Sequence, residues 1–104
     1  METLEFRFDS KPACRAANPA LCGVVGSGNL EILVKPGDQP DVCQLSIKTS
    51  ARGFGATWQA VLGSFAASHP AGGTSIAIND MGATPAVVTL RLAQALAEYQ
   101  GGAQ

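Results

Sequence analysis

Apolar and polar residues alternate near the start of the chain, with Leu4, Phe6 and Phe8 set against Glu5, Arg7 and Asp9. A period of two marks a half-buried strand. The period is lost from Asp9 to Ala20, and Pro12 and Pro19 frame that stretch as an irregular loop over 9–20. Apolar character returns from Leu21 to Val25, is interrupted by Gly26-Ser27-Gly28-Asn29, and resumes in the β-branched run Leu30-Glu31-Ile32-Leu33-Val34. Glycine and asparagine tolerate the backbone of tight turns, so the two runs predict a hairpin with Ser27 at its exposed tip. A second turn, Lys35 to Asp41, leads to Cys43, Leu45, Ile47 and Thr49 on one face and Gln44, Ser46 and Lys48 on the other. We expect this strand to continue the hairpin as a meander.

The period then lengthens. Phe54, Trp58, Val61, Leu62 and Phe65 recur at helical spacing and form one apolar stripe, which His69-Pro70 and Gly72-Gly73 terminate. Burying that stripe on a sheet contributes roughly 1.5–3 kcal/mol for each large side chain. Thr74 to Asn79 places Ile76 and Ile78 on one side of a short strand, which leaves through the polar turn Asn79-Asp80-Met81-Gly82. At Thr84-Pro85 a helix starts, because threonine caps free N–H groups and proline at the first helical position forfeits no intrahelical bond. Val88, Leu92, Ala95, Leu96 and Tyr99 continue it, Gly101-Gly102 ends it, and residues 100–104 form a flexible tail. The expected fold is α+β: a two-layer arrangement in which a four- or five-stranded, mostly antiparallel sheet carries two helices on one face.

Composition narrows the classes. A chain of 104 residues is expected to be a single domain over 1–104, long enough to bury a core without disulfides or metals. With 46% hydrophobic residues and a net charge of −1, it is neither a disordered tail nor a cationic nucleic-acid binder. Apolar runs are short, and Met1-Glu2-Thr3-Leu4-Glu5 has neither a basic nor an apolar leader region, so no membrane role and a cytoplasmic setting are expected. The three cysteines, Cys14, Cys22 and Cys43, have no metal-ligand spacing. Cys22 and Cys43 lie in apolar runs and read as small core residues, while only Cys14, beside Arg15, approaches the setting of a reactive thiol.

Catalytic constellations are sparse. His69, the only histidine, precedes a proline at a helix end and reads as a solvated surface residue. The acids are scattered, and Asp80 is best read as accepting from backbone amides ahead of a helix. Ser27 lacks the flanking pattern of a nucleophile elbow, and Gly23, Gly26 and Gly28 match neither the dinucleotide fingerprint nor a phosphate-binding loop. Composition alone makes Gly26-Ser27-Gly28-Asn29 an ordinary turn. A serine between two glycines is nevertheless well shaped as an attachment point, with no neighbouring side chains to block a modifying enzyme.

The segment Gly23-Val24-Val25-Gly26-Ser27-Gly28-Asn29-Leu30-Glu31-Ile32-Leu33-Val34 resembles the prosthetic-group site of the acyl carrier (delta) subunit family of malonate decarboxylases. Gly53-Phe54-Gly55 with Trp58 to Leu62, Ile78 to Val88, and Leu90 to Leu96 look like the same family, whereas the loop from Asp9 to Ala20 departs from it. The resemblance implies a non-catalytic carrier whose Ser27, flanked by the permissive backbone of Gly26 and Gly28, is joined by a phosphodiester to 2'-(5''-phosphoribosyl)-3'-dephospho-CoA. Its thiol would carry acetyl and malonyl thioesters between an acyl-transferase and a decarboxylase subunit, converting malonate to acetate and carbon dioxide. A dedicated prosthetic-group transferase would load it. The thioester matters because it lets the charge developing on decarboxylation spread into an enolate, which the partner subunits must stabilise.

Two other readings stand beside this one. The citrate lyase acyl carrier uses the same kind of group but fits less well outside the serine region. An α+β interaction module without a covalent cofactor would use its sheet edge or the Asp80 turn to bind a protein. Ordinary phosphopantetheine carriers are acidic helical bundles with Asp-Ser-Leu at a helix start, and the only Asp-Ser here, Asp9-Ser10, is followed by Lys11.

Overall fold

The computed structural model describes residues 2–12, 23–27 and 29–100, and for 23–27 the backbone alone. The order is β1 (Glu2–Asp9), β2 (Gly23–Ser27), β3 (Leu30–Pro36), β4 (Val42–Thr49), α1 (Gly55–Ser68), β5 (Thr74–Asp80) and α2 (Pro85–Tyr99). Among the described residues, five strands form one sheet in the order β1-β4-β5-β3-β2. β4 and β5 run parallel, and the other neighbours run antiparallel. This is the expected α+β fold, with the upper of the two strand counts.

One connection differs from expectation. β4 does not extend the β2–β3 hairpin as a meander, because β5 lies between β3 and β4. The turn after β3 wraps around the entrance of β5: the Gly37 N–H donates to the Gly73 carbonyl at 2.8 Å, and the Gly73 N–H donates to the Val42 carbonyl at 3.0 Å. A parallel return from β4 needs a long crossover, and α1 supplies it.

The alternation read from the sequence becomes the burial pattern. Leu30, Ile32 and Val34, then Cys43, Leu45 and Ile47, then Ile76 and Ile78 face the core. Leu4, Phe6 and Phe8 of the edge strand β1 are half-buried against it, with the Phe6 and Phe8 rings stacked at 6.0 Å. Residues such as Glu5, Lys48, Ala77 and Asn79 alternate onto the opposite, exposed face, as an antiparallel sheet with one wet face allows.

Both helices contribute to the same core, α1 against β1 and α2 against β2 and β3. Every apolar position read into α2 is buried: Val88, Leu92, Ala95, Leu96 and Tyr99. Its N-terminus is as expected, with Thr84 as cap accepting from the Val87 N–H at 3.3 Å and Pro85 opening the helix. The last turn ends at Tyr99, and Gly101-Gly102 and the tail beyond Gln100 lie outside the described residues.

In α1, Trp58, Leu62 and Phe65 are buried, but Phe54 sits at the cap position and is 51% exposed. The apolar stripe therefore begins at Trp58, since a residue ahead of the first turn does not share the helical face. Gly63, in mid-helix, marks a close approach: a Cβ there would meet the Phe8 ring at 3.3 Å. His69 is half-buried rather than fully solvated, with its ring stacked on Phe65 at 4.8 Å and Nδ1 at 3.3 Å from the Phe65 carbonyl.

Cys43 is a free, buried thiol, as expected for a small core residue. Cys14, Cys22 and most of the 9–20 loop lie outside the described residues. Burial pushes the Cys43 thiol above its ordinary value of 9.0, and the Thr74 hydroxyl, 3.5 Å from Sγ, only partly offsets this. Above that value the unfolded chain loses a proton that the folded chain keeps, so Cys43 lowers stability as pH rises. Chemical denaturation between about pH 8 and pH 10 should show a steeper loss for the wild type than for Cys43→Val. Parallel curves would contradict this.

Candidate functional site

The hydrogen-bonded register aligns five residues at one end of the sheet. Ser27 pairs with Leu30, Leu30 with Asp80, Asp80 with Thr49, and Thr49 with Glu2. β4 and β5 both exit here, so α1 and α2 both begin here. Adjacent strands are roughly 4.8 Å apart, which puts the Ser27 backbone about 10 Å from that of Asp80 across β3.

Ser27 is the last residue of β2 rather than part of the turn, and Gly28-Asn29 alone connects the hairpin. Two-residue connections match the twist of the strands they join, and glycine with asparagine suits them. Among the described residues β2 is the outermost strand, and Ser27 ends it. Gly26 stands opposite Glu31, while Gly28 lies outside the described residues.

Asp80 organises the middle of the row. It is the last residue of β5 rather than part of an exposed turn, and it is 3% exposed. One carboxylate oxygen accepts from the Thr49 hydroxyl at 2.8 Å, and the other from the N–H groups of Gly82 and Ala83 at 3.2 and 2.8 Å. The expected bonding to backbone amides is present. The sequence had placed Thr49 on the core face without indicating its bond to Asp80. Next to this network the Met81 N–H donates to the Asn29 carbonyl at 2.8 Å, which fastens the hairpin connection to the loop before α2.

Between the first turns of the two helices lies a cavity of about 300 Å³. Phe54, Trp58 and Val61 form one wall, Pro85 and Val88 the other, and Asp80 and Gly82 line one end. Nothing in the sequence announced it, because its walls are far apart along the chain. Among the described residues, no three of His, Cys, Asp or Glu gather where a metal could be held. No helix among them is long and apolar enough to cross a membrane.

The profile described as malonate decarboxylase delta subunit (MdcD), an acyl carrier protein, matches residues 17–99. The chain belongs to this acyl carrier family. It is 54% identical to the malonate decarboxylase acyl carrier protein of Acinetobacter calcoaceticus, over 97% of this chain and 99% of that one. It is 57% identical to the protein of that name from Xanthomonas euvesicatoria pv. vesicatoria, over 97% of each. The fold is shared with a chain in the crystal structure of a Pseudomonas malonate decarboxylase hetero-tetramer in complex with malonate. That match has a TM-score of 0.79 and 35% identity, and covers 95% of this chain and 99% of that one. Within this acyl carrier family fold, the Asp80 network joins the end of β4 to the start of α2, and with the neighbouring Met81–Asn29 bond it steadies the end of the sheet where Ser27 lies.

Asp80→Ala leaves the Thr49 hydroxyl and two amides without their acceptor and should cost about 2 to 3 kcal/mol in urea denaturation. Asp80→Asn keeps an acceptor for the amides and a donor toward Thr49, and should cost about 1 kcal/mol. Equal stability of Asp80→Ala and wild type would contradict the role assigned to the carboxylate.

Proposed function

We propose that this chain is the acyl carrier subunit of a malonate decarboxylase complex and that Ser27 anchors its covalent prosthetic group. The observation that carries the reading is the family match over 17–99, which spans a serine held between Gly26 and Gly28 at the end of an edge strand. The group is 2'-(5''-phosphoribosyl)-3'-dephospho-CoA, joined to Ser27 Oγ through a phosphodiester. When bound, it supplies the thiol on which acetyl and malonyl are carried as thioesters.

The residues present fit such an attachment. A hydroxyl is the required nucleophile, the neighbouring glycines add no side chains to obstruct a modifying enzyme, and among the described residues β2 is an edge strand. Fixing the anchor at the end of a five-stranded sheet gives the carried group a firm base, and tethering raises its effective concentration at each partner site. The partners are an acyl-transferase subunit, a decarboxylase subunit and, for loading, a prosthetic-group transferase. That the Pseudomonas structure is a hetero-tetramer supports assembly with other subunits.

Intact-mass measurement tests the anchor. After co-expression with the cognate prosthetic-group transferase and cofactor precursor, the wild type should gain the mass of the group and Ser27→Ala should not. Modification that survives Ser27→Ala, or a wild type unmodified under those conditions, overturns the reading. A side chain at Gly28 should obstruct loading without unfolding the chain, so Gly28→Val should load several-fold more slowly while remaining folded. Equal loading rates would exclude a role for that glycine.

A further inference from the structure

We propose that the cavity between the first turns of α1 and α2 cradles a purine ring, the adenine of the group carried on Ser27. This rests on the preceding reading of Ser27 as the anchor. Proximity is the first argument. The cavity's Asp80 end lies in the same row as Ser27, about 10 Å away across β3. A phosphodiester and a ribose unit separate the anchoring oxygen from the adenosine, so the purine lies far nearer the anchor than the thiol does.

The route between them is also built. The Met81 N–H bond to the Asn29 carbonyl ties the hairpin connection to the loop whose next residue, Gly82, lines the cavity. Gly82 has a φ of +106° and open space where a Cβ would stand. The loop can therefore turn at Gly82 without raising a side chain at that position.

The walls suit a flat aromatic ring. Trp58 and Phe54 offer aromatic surface, and Val61 and Val88 offer branched apolar surface. Phe54, half exposed at the cap of α1, is the kind of ring that stacking would cover. The polar edge of adenine needs partners, and Thr57 and Asp80 line the same space. The Asp80 oxygen that accepts only from Thr49 retains capacity for one further donor, such as an exocyclic amine. The thiol lies at the far end of the group and must leave for partner sites, so it is a poor match for a cavity beside the anchor. Holding the purine would shorten the free arm and leave its outer half to swing.

The test uses the loaded chain, with its added mass confirmed first. Trp58 is the only tryptophan, so its emission reports on the cavity. Loading should lower Trp58 emission and shift the NMR signals of the Trp58 indole and the Val61 and Val88 methyls. Thr57→Phe, which fills the cavity from an exposed helical position, should load to the same mass and lose both responses. Thr57→Met serves for the same comparison if the larger side chain unfolds the protein. Added mass with unchanged Trp58 and Val88 signals, or responses that persist in the filled variant, overturns the cradle alone. Absence of added mass overturns the anchor and the cradle together.

Discussion

The position of β5 between β3 and β4 is the constraint on which the rest of the structure depends. A strand in that place needs an antiparallel partner on one side and a parallel one on the other, and the parallel pairing requires a crossover long enough to hold a helix. α1 is that crossover. Because β5 is central, its last residue is flanked by Thr49 and Leu30, and a carboxylate there on the core face is buried. Burial obliges it to find donors. It finds them on the end of β4 and in the loop before α2, and the same loop is bonded to the hairpin connection. A β5 at the sheet edge would leave Asp80 in water and the hairpin without this link.

Much of this architecture was legible in the chain. Alternation in Leu4-Phe6-Phe8 and in Cys43-Leu45-Ile47 encodes which face is buried, and the spacing from Val88 to Tyr99 encodes a helix, because burial of one face is a local property of the sequence. Pairing between distant strands is not local. The breakers between Lys35 and Asp41 encode a turn, but nothing in them says that the turn must go around Gly73 and admit another strand. Phe54 was misread for a related reason. Spacing alone extends the stripe backward, whereas the helix begins at Gly55 and the ring falls outside its first turn.

Legibility of the site divides in the same way. Composition makes Gly26-Ser27-Gly28-Asn29 an ordinary turn, and only the likeness of its neighbourhood to a known carrier family singles out the serine. Register adds that Ser27 closes a strand and stands in line with Asp80. The cavity lay beyond sequence reasoning because it is the space left between two helices that meet only when β5 brings them side by side.

The two walls of that cavity are not equally firm. α2 starts with a capping threonine and a proline, and the loop before it is fixed by three hydrogen bonds, two to the Asp80 carboxylate and one to Asn29. α1 starts with no side-chain cap, on a glycine that favours the unfolded backbone. Its first turn is held mainly by Trp58 against the core, so Phe54 and Thr57 stand on a helix start with fewer fixing bonds than that of α2. A pocket with one pinned wall and one yielding wall can admit a flat ring by moving a single helical turn. The pinned wall is the one bonded to the hairpin, so such movement leaves the anchor where it is.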